Sequence, residues 1–183
     1  MPRRKNAGTF QTDNAWQNKT KPAAKKIIEG LVRAEGTIED ATPEQDLKRA
    51  TDFVVRIPGE GTIACRTLVW DGYHTDMTLR AWRENGAPVE LAKIQQSYRN
   101  SGGEGEPRYY FTCWRSIEDE IVEWTFVNMK VFMENNLDLD DWGKPKKIIK
   151  NPNDGYTTGF IAIPRVVLRR TPGCLIAEKT RKK

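Results

Sequence analysis

The stretch from Thr51 to Ile94 constrains this chain more than any other. It opens with Thr51-Asp52-Phe53-Val54-Val55, an aspartate entering an apolar strand. Pro58-Gly59-Glu60-Gly61 is a turn sequence, and Ile63-Ala64-Cys65-Arg66 follows as the returning strand of a hairpin. Met77-Thr78-Leu79-Arg80 reads as a third strand, and a helix over about 88–98 then carries Glu90 and Lys93. Arg66 and Arg80 stand among apolar strand residues. An unpaired charge there is costly, so each requires a carboxylate or an external anion. Asp52 and Glu90 are the natural partners, and a structural salt-bridge cluster is one reading of the set.

The rest of the chain alternates helix and strand patterns. Residues 1–21 are polar and basic, and read as a disordered arm. Pro22 is suited to begin a helix, in which Ile27/Ile28 and Leu31/Val32 form one apolar stripe opposite Lys25 and Lys26. Thr42 and Gln45 have the spacing of a capping box, so a short helix is expected to Ala50. Strands are expected over 52–57, 62–69, 75–82, 108–114 and 121–128. A short helix is expected over 130–135, a loop over 136–154, and last strands over 157–164 and 165–168. The connector 101–107, rich in glycine, reads as flexible. These elements predict a mixed α+β fold with one sheet of five or six strands flanked by helices. The domain spans 22–170, and 171–183 is a basic tail.

Charge points to an anionic partner. The 183 residues carry a formal net charge of +5, and the bases crowd toward both ends. Arg3, Arg4, Lys5, Lys19, Lys21, Lys25 and Lys26 stand at one end, and Arg165, Arg169, Arg170, Lys179, Arg181, Lys182 and Lys183 at the other. Solvated, solubilising tails are the plainer account. Cys65, Cys113 and Cys174 are widely spaced, with no CxxC pair and a single histidine, His74, which argues against a zinc site and suits a reducing cytoplasm. No apolar run approaches the length of a membrane span.

Metal-assisted phosphodiester cleavage needs hard oxygen ligands for Mg²⁺ and a cation near the attacked phosphate. Asp52 and Glu90 are the candidate metal ligands. Lys93, three residues from Glu90 on the same helix face, is placed to act on water, and Arg66 and Arg80 to neutralise phosphate. Asp52 equally reads as a strand-entry cap, and Glu90 with Lys93 as a surface ion pair. Arg83, Arg99 and Arg108, with Lys25 and Lys26, are the candidate backbone-phosphate contacts. Glu29 and His74 are weaker candidates. Tyr109, Tyr110 and Trp114 are of a type that stacks bases, but an aromatic strand is more often core.

Thr51-Asp52, Ala64-Cys65-Arg66, Thr78-Leu79-Arg80 and Val89-Glu90-Leu91-Ala92-Lys93-Ile94 together resemble small phage-encoded and bacterial members of the PD-(D/E)xK nuclease superfamily. Asp154-Gly155-Tyr156-Thr157-Thr158-Gly159-Phe160 is similar to a segment near their C-terminal strand. The resemblance covers about residues 25–170. It implies a restriction-endonuclease-like sheet, Mg²⁺-dependent cleavage of DNA, and a cytoplasmic setting (the host's, for a phage-encoded chain). The superfamily's second strand bears an acid, one residue, then lysine; here those positions are Ala64 and Arg66. Guanidinium does not deprotonate near neutral pH, so an active enzyme would need Glu90 and Lys93 to replace them.

Three functions therefore stand beside one another. The first is a metal-dependent nuclease. The second is a catalytically inactive nucleic-acid-binding protein on the same fold. The third is an anti-defence interaction protein docking through Asp138-Leu139-Asp140-Asp141-Trp142. A homodimer is compatible with each.

Overall fold

The computed structural model describes residues 10–32, 37–44, 52–56, 61–69, 76–84, 86, 89–116, 118, 120–136, 147–150 and 157–181. Its elements follow the chain as α1 (Phe10–Val32), β1 (Thr37–Asp40), β2 (Phe53–Arg56), β3 (Gly61–Val69), β4 (Met77–Arg83), α2 (Glu90–Asn100), β5 (Tyr109–Arg115), β6 (Ile121–Asn128), α3 (Met129–Asn136), β7 (Lys147–Lys150), β8 (Thr157–Ile163), α4 (Arg165–Arg170) and β9 (Leu175–Lys179). The fold is mixed α+β, as expected from the pattern of elements.

The main sheet has six strands in the order β1-β2-β3-β5-β6-β9. β2 and β3 form the expected antiparallel hairpin, with Phe53 opposite Ile63. β3 and β5 run parallel, with Ala64 opposite Tyr110 and Arg66 opposite Thr112. The remaining pairs are antiparallel. β4 does not continue the meander. It leaves to build a second sheet, ordered β4-β8-β7.

Strand alternation gives the main sheet two buried faces. Ile63 of β3, Phe111 and Cys113 of β5, and Phe126 of β6 pack with Phe53 under α1, which contributes Ala24 and Ile28. Ala64, Tyr110 and Val127 point the other way. There they meet Met77, Leu79, Ile161 and Ile163 of the second sheet, and Leu91, Ile94 and Tyr98 of α2. The spacing of those three α2 residues is the i, i+3, i+7 stripe of an amphipathic helix. Cys113 and Cys174 are fully buried small apolar residues within these cores.

Several local expectations differ from the structure. α1 begins at Phe10 and runs through Pro22, where an arm was expected over 1–21. Tertiary contact holds the turn before the proline: Thr20 is fully buried, and its hydroxyl meets that of Thr67 on β3 at 3.1 Å. Residues 165–168 are helical, although Val166-Val167 favours a strand. Pro164 ends β8, and the helix puts Arg165 and Arg169, four residues apart, on the same Glu178 carboxylate. Glu178 belongs to β9, which adds an edge strand to the main sheet from within the expected tail.

β7 forms inside the expected loop over 136–154 by pairing with β8. The 101–107 connector is held in place by a bond from the Glu106 amide to Ser97 Oγ (2.8 Å) and by one from the Tyr98 hydroxyl to the Pro107 carbonyl (2.9 Å). Gly105 passes so close to α2 that a Cβ would stand 2.5 Å from the Tyr98 backbone. Of the expected short helix over 42–50, Pro43 and Glu44 are helical, and the remainder lies outside the described residues, as do His74, the 138–142 acidic stretch and Asn153-Asp154-Gly155.

Candidate functional site

The face of β3 that carries Ala64 also carries Arg66, because the two are separated by one residue. Glu90 opens α2 directly across from it. Arg66 Nη1 donates to Glu90 Oε2 at 2.9 Å. The same oxygen accepts the Arg80 backbone amide at 3.0 Å. Glu90 Oε1 accepts the Tyr110 hydroxyl at 2.6 Å, and that hydroxyl also lies 3.3 Å from the Thr78 carbonyl. One carboxylate thus ties α2 to β3, β4 and β5. The Arg66 and Glu90 side chains are 13% and 17% exposed, so the pair is largely withdrawn from water but reaches the surface. Glu90 also sits in the first turn of α2, where the helix dipole favours a negative charge.

Phe160 of β8 completes the cluster. The Arg66 guanidinium lies 4.7 Å from its ring centroid and that of Arg80 lies 5.9 Å away. Both charges gain cation–π attraction on one ring, while repelling each other. A β-bulge adds a third base. The β4–β8 register shifts between Arg80, opposite Phe160, and Trp82, opposite Gly159, so Arg83 falls opposite Thr158. In a regular strand, residues three apart point to opposite faces. The bulge restores Arg83 to the face of Arg80.

Charge in this cluster is unevenly matched. Burial pulls the Arg66 pKa down, but Glu90 and Tyr110 outweigh it, and the guanidinium is held above its usual range. Arg80 goes the other way. Burial and the positive charge of Arg66 depress it, Glu90 offsets part of this, and Arg83 depresses it further. Among the described residues, no carboxylate is in ion-pair contact with the Arg80 guanidinium. Burial and the Glu90 charge push the Tyr110 hydroxyl well above the ordinary tyrosine range.

The other candidate residues have different surroundings. Asp52 lies at the end of the β2–β3 ladder. Its amide donates to the Ile63 carbonyl at 2.8 Å, and its Oδ2 accepts the Cys65 amide at 2.5 Å. The carboxylate stands where a longer β2 would have supplied a carbonyl. The charges that act on Arg66 and Arg80 come chiefly from Glu90, Tyr110 and the neighbouring arginines, whereas Asp52 acts on the Cys65 thiol. Glu90 carries three internal donors, one of them a guanidinium. Among the described residues, no group of three or more Asp, Glu, His or Cys side chains is placed to hold a metal ion.

Lys93 lines a polar groove of about 530 Å³ with Gln96, Ser97, Asn100, Ser101, Glu104 and Glu106, and Glu90 is not part of that lining. Arg99 is exposed in the last turn of α2. Arg108 pairs with Glu104, which also takes Lys130. Lys25 bonds Asp40 at 3.3 Å, while Lys26 and Glu29 are exposed. α1 covers the face of the main sheet opposite Arg66, so Lys25 and Lys26 stand across the sheet from the arginine cluster.

The structure therefore gathers Arg66, Arg80, Arg83 and Glu90; Asp52 bonds the β3 backbone beside Arg66, Lys93 lines the groove on α2, and Arg99, Arg108, Lys25 and Lys26 lie elsewhere. Tyr110 and Phe160 belong to the cluster without having been singled out for it. A tyrosine inside an otherwise apolar central strand needs a hydroxyl partner, which is a signal that could have found Tyr110. Tyr109 is half-buried and stacks on Phe126 at 5.3 Å against the core, and Trp114 is buried beneath Arg165 at 4.7 Å. Fold and site together define a mixed α+β protein with a carboxylate-anchored arginine centre between its two sheets. No protein-family model matches the chain, nor does any curated protein or solved structure.

Proposed function

We propose that this chain is a nucleic-acid-binding protein that uses the arginine centre to contact backbone phosphate without cutting the strand. The carrying observation is the Arg80 guanidinium: among the described residues it makes no ion pair with a carboxylate, and the positive charges of Arg66 and Arg83 act on it with Glu90 offsetting them in part. A phosphate oxygen would supply the missing negative charge, and Arg80 and Arg83 share a face on which to receive it.

The binding reading is favoured over metal-dependent hydrolysis by how the two carboxylates are used. Asp52 is bonded to a strand amide and Glu90 to three internal donors. The full chain should retain labelled single- and double-stranded oligonucleotides at low salt and leave plasmid DNA uncut with Mg²⁺ or Mn²⁺. Failure to retain any oligonucleotide would overturn the proposal. Cleavage that is lost in both Asp52→Ala and Glu90→Ala would restore the hydrolase reading.

A further inference from the structure

We propose that the ligand of this centre is an unpaired nucleic-acid strand, and that Trp82 is the residue on which its base stacks. The inference rests on the nucleic-acid reading above and adds strand class and a second contact. Trp82 is 43% exposed, whereas Trp114 is buried and Trp124 is packed against Phe111. An indole left this open forgoes a large apolar burial, and so stands out as a surface available to another ring. It lies two residues from Arg80 and adjoins Arg83, on β4.

Topology makes this position accessible. Among the described residues, β4 is an outer strand of the second sheet and pairs with β8 alone. Trp82 falls opposite Gly159, which has no side chain to cover the indole from across the ladder. The bulge that turns Arg83 toward Arg80 leaves Trp82 on the other face of the same narrow edge. A strand crossing this edge would thus meet guanidinium on one side and an aromatic plane on the other. Phosphate and base demand those two chemistries from consecutive parts of one nucleotide.

Base pairing decides the strand class. In a duplex, each base face is stacked on its neighbours, and an aromatic side chain reaches one only if the base is extruded. A single strand offers its base faces freely, and every base has one, so the preference is for unpaired strands without sequence selection.

The test compares the full-length protein with Trp82→Ala and Trp82→Phe, using fluorescence anisotropy of a labelled single-stranded oligonucleotide and of its duplex. Wild type should bind the single strand more tightly. Trp82→Ala should weaken single-strand binding by about 5- to 150-fold, the range for losing one stacked base, and leave duplex binding within about twofold. Trp82→Phe, which keeps an aromatic plane, should retain most of the affinity. Equal loss for strand and duplex, or no loss for either, would overturn the stacking role while leaving nucleic-acid binding intact. Absence of binding to both by wild type would remove the underlying reading and this inference with it.

Discussion

Arg66 and Glu90 lie 24 positions apart in the chain and meet at 2.9 Å, joining the centre of the main sheet to the first turn of the helix that covers it. The contact adds a polar tie among four elements that also share one apolar core, because the same carboxylate takes the Arg80 amide and the Tyr110 hydroxyl. Removing the charge leaves the Arg66 and Arg80 guanidinia, which share the Phe160 ring, without the carboxylate charge that offsets their repulsion. Glu90→Gln should therefore lower stability by about 3 kcal/mol, within the range for breaking a buried pair by losing one partner. Urea unfolding monitored by tryptophan fluorescence would measure it. A loss within about 0.5 kcal/mol would mean that the pair is a surface contact.

Tyr110→Phe removes one hydroxyl and leaves the ring in the core. The lost bond to a charged acceptor should cost about 1.5 to 3 kcal/mol. The same denaturant series checks it, and a neutral result would show that water replaces the hydroxyl on Glu90.

Alkaline pH should destabilise the fold through Tyr98 and Tyr110. Burial raises the Tyr98 pKa, and burial together with Glu90 raises that of Tyr110. The folded state thus keeps protons that the unfolded state releases above about pH 10. Stability falls wherever the unfolded chain binds fewer protons, so it is fully present below about pH 10 and declines as pH climbs toward the folded values. Titration followed at the tyrosinate absorbance band should show these two rings ionising only as the fold opens. Tyr98→Phe and Tyr110→Phe should each flatten the decline.

Asp52→Ala should cost about 1 to 2 kcal/mol by freeing the Cys65 amide at the end of the β2–β3 ladder. Oligonucleotide affinity should stay unchanged, because the Asp52 carboxylate bonds the β3 backbone at Cys65. Anisotropy titration of the folded variant checks this. A large change in affinity would tie Asp52 to the ligand site.

Parts of this arrangement were legible in the sequence for a physical reason. A charge inside an apolar strand must find a partner, so Arg66 pointed to Asp52 or Glu90, and Glu90 is the one it meets. The helix that presents Glu90 was legible over about 88–98, and it runs from Glu90 to Asn100. Arg80 was recognised on the same ground, but its amide, and not its guanidinium, is what Glu90 receives. The rest depended on long-range contacts. The bulge after Arg80 has no glycine or proline to announce it, so Arg83 read as a solvent-facing base. Arg165–Arg170 is helical because Glu123 and Glu178, from two other strands, claim its arginines. Phe160 reaches Arg66 from a strand that begins 91 residues later. Asp52 read both as a metal ligand and as a strand-entry cap, and its bond to the Cys65 amide is of the capping kind.

The central claim is that Arg80 meets phosphate. Its most direct test is the salt dependence of oligonucleotide binding for wild type and Arg80→Gln, a change that leaves the Arg66–Glu90 pair intact. Plotted as log affinity against log salt concentration, wild type should slope steeply downward, and Arg80→Gln should bind more weakly with a slope shallower by about one phosphate contact. Superimposable lines for the two proteins would contradict the account.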